Sequence, residues 1–187
     1  MSQKISIKVE KVSLNKVNTN LFISAVYKNE KMSKSFDDLL GDTLKSAVKT
    51  DSFKGDYGKK IELFSNGKIN KFSFYGLGEK NKFSSTKIRS LAANIVRNIE
   101  LNKISSVTVD SNAFGLDKVD NAQAFTEGLL LGQYKFIDYK SKKTNFSLKE
   151  VVFIGDTNLK SLNKGQVIGQ SVNYARDLGN HPANILT

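Results

Sequence analysis

The chain has 187 residues, of which 39% are hydrophobic and 25% charged, with a formal net charge of +11 and no cysteine. That apolar share excludes disorder for the bulk of the chain, and the length sets one domain, or one domain plus a short appendage. The missing thiols exclude disulfides, thiolate metal sites and cysteine nucleophiles together. The alternating N-terminus lacks the apolar run of a signal peptide and no stretch approaches the roughly 18 apolar residues of a bilayer span, so a soluble cytoplasmic protein is expected.

Lys4–Glu10 alternates polar and apolar residues, with Ile5, Ile7 and Val9 on one side, and predicts a half-buried strand. Leu21–Tyr27 is a denser apolar run of strand length. Asp37–Thr50 carries Leu40, Leu44 and Val48 at helical spacing around Gly41. Ile61–Phe64 and Phe72–Tyr75 flank the turn signal Ser65-Asn66-Gly67 and predict a hairpin. Ser84–Leu101 is the clearest helix, with Ile88, Leu91, Ala92, Ile95 and Ile99 on one face and Ser84 or Ser85 as its cap. Ile104–Asp110 and Leu148–Ile154 read as strands. Between them Asn121–Tyr134 reads as a helix whose Gly128 and Gly132 give a neighbour close access. Lys160–Leu178 is the last helix, with Leu162, Gly165, Ile168, Gly169, Val172 and Ala175 on one side. A strand-rich start followed by alternation predicts an α/β fold of three layers, a mixed central sheet flanked by helices.

The basic balance invites a polyanion partner, but lysines greatly outnumber the arginines Arg89, Arg97 and Arg176, and they are scattered. Most of that charge reads as solvated surface. Lys140, Lys142 and Lys143, with Tyr139 and Phe146 nearby, form the candidate nucleic-acid contact in a polar loop. The single histidine, His181, leaves too few ligands for a zinc site, and the acidic residues show no calcium-loop spacing. Asp37-Asp38 fits a helix N-terminus. There is no Gly-x-Ser-x-Gly elbow, and His181, just before Pro182, reads as a solvated loop histidine. Gly76-Leu-Gly78 would open a dinucleotide loop, but its third glycine position holds Asn81, so a tight turn is the expectation. No catalytic, cofactor-binding or metal-binding residue is therefore expected.

The run from Gly165 to Thr187 resembles the segment with which leucyl (cytosol) aminopeptidases enter their catalytic domain, a pattern Asn-x-Ala-Arg-Asp-Leu-x-Asn-x-Pro-x-Asn-x-Leu-Thr-Pro. Asn173, Ala175, Arg176, Asp177, Leu178, Asn180, Pro182, Asn184, Leu186 and Thr187 fit it. Phe53-Lys-Gly-Asp-Tyr-Gly-Lys, Phe74-Tyr-Gly-Leu-Gly-Glu-Lys and the stretch Ala124–Lys140 are similar to family segments in the same order. Gly179 and His181 fall where the family varies, and Tyr57 where a small or polar residue is frequent.

The resemblance implies a macro-domain-like N-terminal domain over 1–158, with 159–187 as connector helix and start of a catalytic domain. It also implies a hexameric parent that removes N-terminal residues from peptides with two divalent metals, manganese or zinc, held by its own C-terminal catalytic domain. The family's metal-bearing Asn-Thr-Asp-Ala-Glu-Gly-Arg stretch has no counterpart here. On this reading Asn180–Thr187 is frayed and the glycine- and alanine-bearing face of the last helix is partly bare. DNA binding, known for some bacterial members, and ADP-ribose binding, by fold analogy, are the alternatives.

Overall fold

Alternation along the strands decides which residues meet which helical layer. The computed structural model describes residues 5–141 and 146–185. Strands β1 (Ser6–Glu10), β2 (Thr19–Val26), β3 (Lys60–Phe64), β4 (Ile69–Gly76), β5 (Ser106–Asp110) and β6 (Glu150–Ile154) form one sheet in the order β1-β6-β5-β2-β4-β3. All neighbours pair in parallel except β3 and β4, the predicted hairpin, which pair antiparallel with Phe64 opposite Lys71. The sheet is therefore mixed. β4 starts at Ile69, before the expected Phe72, because the turn closes tightly: the Ser65 N–H donates to the Asn70 carbonyl at 2.9 Å.

Helices cover both faces. On one, Leu21, Ile23, Tyr75, Val107, Val109, Val151 and Phe153 meet α2 (Ser85–Leu101) and α4 (Val119–Gln133), with Leu162 of α5 (Leu159–Asn180) in the same core. On the other, Phe22, Phe72, Phe74, Ile61 and Leu63 meet Phe36 and Leu44 of α1 (Lys34–Thr50). Helix α1 begins three residues before the expected Asp37, since Phe36 belongs to its apolar stripe with Leu40 and Leu44. Its two arms meet at a kink at Gly41, whose φ is 51°. A short helix unforeseen in the sequence, α3 (Ser111–Phe114), follows β5 directly.

Three helices lie side by side because glycines let them approach. A Cβ on Gly128 would stand 2.2 Å from the Arg89 carbonyl oxygen of α2, and one on Gly165 2.5 Å from the Gln123 carbonyl oxygen of α4. Gly132 and Gly169, one turn on, press on the same two neighbours. Beside the first contact, Arg89 Nε donates to Glu127 Oε2 at 2.7 Å. The glycine- and alanine-bearing face of α5 is partly bare, as expected, with its glycines on the covered part: Gly165 and Gly169 are buried against α4, while Val172 and Ala175 are exposed.

Glu100, at the end of α2, is a second anchor. Its carboxylate accepts the backbone N–H groups of Ser147 (3.0 Å) and Leu148 (2.9 Å) and the Gln133 amide (3.2 Å), with Lys135 Nζ at 3.5 Å. Burial alone raises its pKa; the hydrogen bonds and the lysine charge together outweigh burial and hold it below the usual value.

Three substitutions test this packing. Gly128→Ala, with α2 backbone in the way, should destabilise by about 1–3 kcal/mol in urea unfolding. Gly179→Ala, where a Cβ meets nothing within 4 Å, should instead be neutral or gain up to about 1 kcal/mol. Glu100 has a folded pKa below its unfolded one, so its contribution is present above the unfolded carboxyl range and lost as pH falls through the folded value. Glu100→Gln should cost roughly 1.5–3 kcal/mol at neutral pH, a gap that shrinks on acidification when both proteins are melted in parallel.

Candidate functional site

Strand order marks where a crevice must open. From β2 the chain moves outward through α1 to the edge strand β3 and back to β4, whereas from β5 it moves to β6 on the other side. Adjacent strands whose connections leave in opposite directions part at their carboxyl ends. A crevice of about 610 Å³ lies there, lined by Ser24 and Val26 of β2, Asp110 of β5, Ile154 of β6, and residues of the following loops. That size suits a small organic molecule.

Its lining has two characters. Val12, Leu14, Phe22, Met32, Phe36 and Ile154 make an apolar side, with the Phe22 and Phe36 rings 5.9 Å apart edge to face. Ser24, Asp110 and Asn112 make a polar one. Ser24 Oγ donates to Asp110 Oδ2 at 2.9 Å, and the Ala113 N–H reaches Asp110 Oδ1 at 3.3 Å, so Asp110 also caps α3. Burial pushes the Asp110 carboxyl above its ordinary value, against the pull of Ser24 and the backbone N–H groups of Asn112 and Ala113. Among the described residues no cation pairs with it. At the mouth Lys80 Nζ pairs with Glu30 at 3.1 Å and lies 5.3 Å from the Tyr27 ring centroid.

The residues singled out from sequence lie elsewhere. Lys140 is exposed, and Lys142 and Lys143 fall outside the described residues. Phe146 is buried, with Lys135 Nζ 5.6 Å from its ring centroid, and so offers no face for a base. The Gly76–Gly78 turn packs on backbone: the Gly78 N–H donates to the Gly55 carbonyl at 2.9 Å, and a Cβ on Gly76 would strike Asp56. No three His, Cys, Asp or Glu side chains converge among the described residues. Sequence reading missed Asp110, whose signal was only a strand ending in Asp before Ser111.

The last helix carries a clasp. Asn173 Nδ2 donates to the Leu130 carbonyl at 2.9 Å, Tyr134 Oη to Asp177 Oδ1 at 3.0 Å, and Asn180 Nδ2 to Tyr134 Oη at 3.2 Å. His181 sits among Phe136, Tyr139 and Asp138, with its Nδ1 2.7 Å from Tyr139 Oη. This corrects one expectation, because those contacts mean that His181 is not a solvated loop residue. Helix α5 runs to Asn180, and a 3₁₀ turn with no buried residue follows at Ala183–Ile185. Val167, Tyr174 and Leu178 of α5 are exposed at 63%, 64% and 40%.

The chain is similar to known proteins over most of its length. Residues 23–143 match the profile described as "Cytosol aminopeptidase family, N-terminal domain". A probable cytosol aminopeptidase of Sulfurihydrogenibium sp. is 35% identical over 80% of this chain and 32% of its own length. One from Persephonella marina is 28% identical over 98% of this chain and 40% of its own. This chain thus spans about a third to two fifths of these relatives. Among solved structures, a tomato leucine aminopeptidase mutant shares the fold with a TM-score of 0.80 at 22% identity, covering 98% of this chain and 40% of that one. The bottromycin maturation enzyme BotP in complex with Mn does so with a TM-score of 0.66 at 22% identity, covering 90% and 33%.

The Ser24–Asp110 contact has a direct test. Ser24→Ala removes a donor to the carboxylate, so the Asp110 pKa should rise further, seen as a later titration of its carboxyl carbon by NMR. The same change should cost about 1 kcal/mol of stability.

Proposed function

The chain belongs to the cytosol aminopeptidase family as its N-terminal domain, and from that premise we propose that it is a non-catalytic domain that orients a C-terminal metallopeptidase part of its parent. The observation that carries this reading is the last helix. Its final turns are pinned by Asn173, Asp177 and Asn180, while Val167, Tyr174 and Leu178 stand in solvent. Pinned direction with apolar side chains on the outside is what a connector to a packed neighbour requires. Residues 159–187 then form the connector and the first stretch of the next domain.

In this reading the parent releases N-terminal amino acids from peptides with two divalent metals, manganese or zinc, as a hexamer in the cytoplasm. When bound, such a pair of ions polarises the scissile carbonyl and activates water. The donor chemistry of this chain does not fit the pair: it has one histidine and no cysteine, and no three potential ligands converge among the described residues. The ions therefore fall to the parent's other part, and no step of catalysis is assigned to residues of this chain. The described helices include none long and apolar enough to cross a membrane.

The purified 187-residue chain, incubated with a leucyl anilide and added manganese, should release no aniline above the buffer rate. Steady turnover that follows the protein through gel filtration would overturn the non-catalytic assignment.

A further inference from the structure

The crevice between the carboxyl ends of β2 and β5 has a use that connector geometry does not explain. A carboxylate offers about four acceptor positions on its two oxygens. Asp110 spends one on the Ser24 hydroxyl and others on backbone N–H groups at the start of α3, yet no cation among the described residues offsets its charge. A partly buried carboxylate without a counter-charge is costly unless something brings one. The polar side that holds it faces an apolar side of Phe22, Met32, Phe36 and Ile154 within the same 610 Å³. Of the two lysines that line the crevice, Lys80 is engaged by Glu30 and the Tyr27 ring, and neither forms an ion pair with Asp110 among the described residues.

We propose that this crevice is a ligand site for small ammonium compounds with an apolar body, an aliphatic amine or an amino acid, whose ammonium group is received by Asp110. The apolar body lies against Phe22, Phe36 and Ile154. Burial of that body and the charge-assisted hydrogen bond act together, because the same walls that remove water from the body strengthen the contact to the carboxylate. Lys31, which also lines the crevice, supplies a partner for a carboxylate and so distinguishes an amino acid from a simple amine. The inference rests on the crevice alone and not on the connector role; it is read from binding to this chain and needs no peptidase activity.

Calorimetric titration of the 187-residue chain with isoamylamine, isoamyl alcohol and isovalerate tests it. Isoamylamine should bind with a Kd of about 1 mM or tighter, while the neutral and anionic analogues of the same body should not bind detectably. Asp110→Asn should weaken the amine by about thirtyfold or more. Because Asp110 also caps α3, the variant's fold is checked by circular dichroism. If it is unfolded, Ser35→Trp, an exposed lining residue outside the sheet, takes its place and should block binding by filling the mouth. Leucine against leucinamide separates the two sources: tighter leucine identifies an amino-acid site that uses Lys31, and equal or tighter leucinamide identifies an amine site. No binding of isoamylamine, equal binding of isoamyl alcohol, or unchanged binding by a folded Asp110→Asn or by Ser35→Trp would each overturn the proposal.

Discussion

Backbone-to-backbone contact between helices, made possible by absent side chains, governs this domain. At Gly128 the Arg89 carbonyl occupies the space a methyl group would need, and at Gly165 the Gln123 carbonyl does the same. Two glycine pairs, each four residues apart, thus set α4 against α2 and α5 against α4. Side chains of ordinary size would push the helices apart, and the layer could no longer seat Leu91, Ile95, Phe125 and Leu129 on the sheet. The ion pair of Arg89 with Glu127 lies beside the first contact and fixes its register, since Glu127 is also held by Gln123 at 2.8 Å.

From that layer the direction of α5 follows. Gly165 and Gly169 place its first half on α4, and Asn173 continues the contact by donating to the Leu130 carbonyl. Beyond Asn173 the helix outruns α4, and the Tyr134–Tyr139 segment takes over through Asp177, Asn180 and His181. That segment is itself held near the sheet, because Glu100 binds Gln133, Ser147 and Leu148 together on either side of it. A carboxylate at the end of α2 therefore bears on where α5 points.

Much of this was legible in the sequence, for physical reasons that differ by element. Helix α2 was plain because its apolar residues recur at helical spacing and Ser84 caps it, with its Oγ accepting the Lys87 N–H. The β3–β4 hairpin was plain because Asn66-Gly67 admits a tight turn. Gly128 and Gly132 signalled a close neighbour correctly, while the same signal at Gly165 and Gly169 was assigned to a missing partner. Spacing shows that a surface must be met, not which element meets it. His181 was misplaced for a related reason: its neighbours Phe136 and Tyr139 lie 45 and 42 positions earlier in the chain, and no local pattern links them. Helix α3 is a single turn and too short for any period to show. Asp110 was invisible because its role comes from strand order, which brings Ser24 beside it from 86 residues away.

The same strand order separates the two surfaces that remain available to partners. The crevice opens at the carboxyl ends of the strands, where loops alone close the structure and Ser24, Asp110 and Asn112 can face a ligand. The exposed side chains of α5 belong to the outer side of a helical layer, where Val167 and Tyr174 have no helix beyond them among the described residues. One surface is a crevice of mixed chemistry, and the other is an exposed helix that carries Val167, Tyr174 and Leu178 among polar side chains. A crevice can surround a small molecule, whereas an open helix face can only bury area against a neighbouring surface. Helix α5 still reaches the sheet core, through Leu162, which belongs to the same cluster as Val109 and Phe153 of the strands, so its exposed side chains ride on a helix seated in the core.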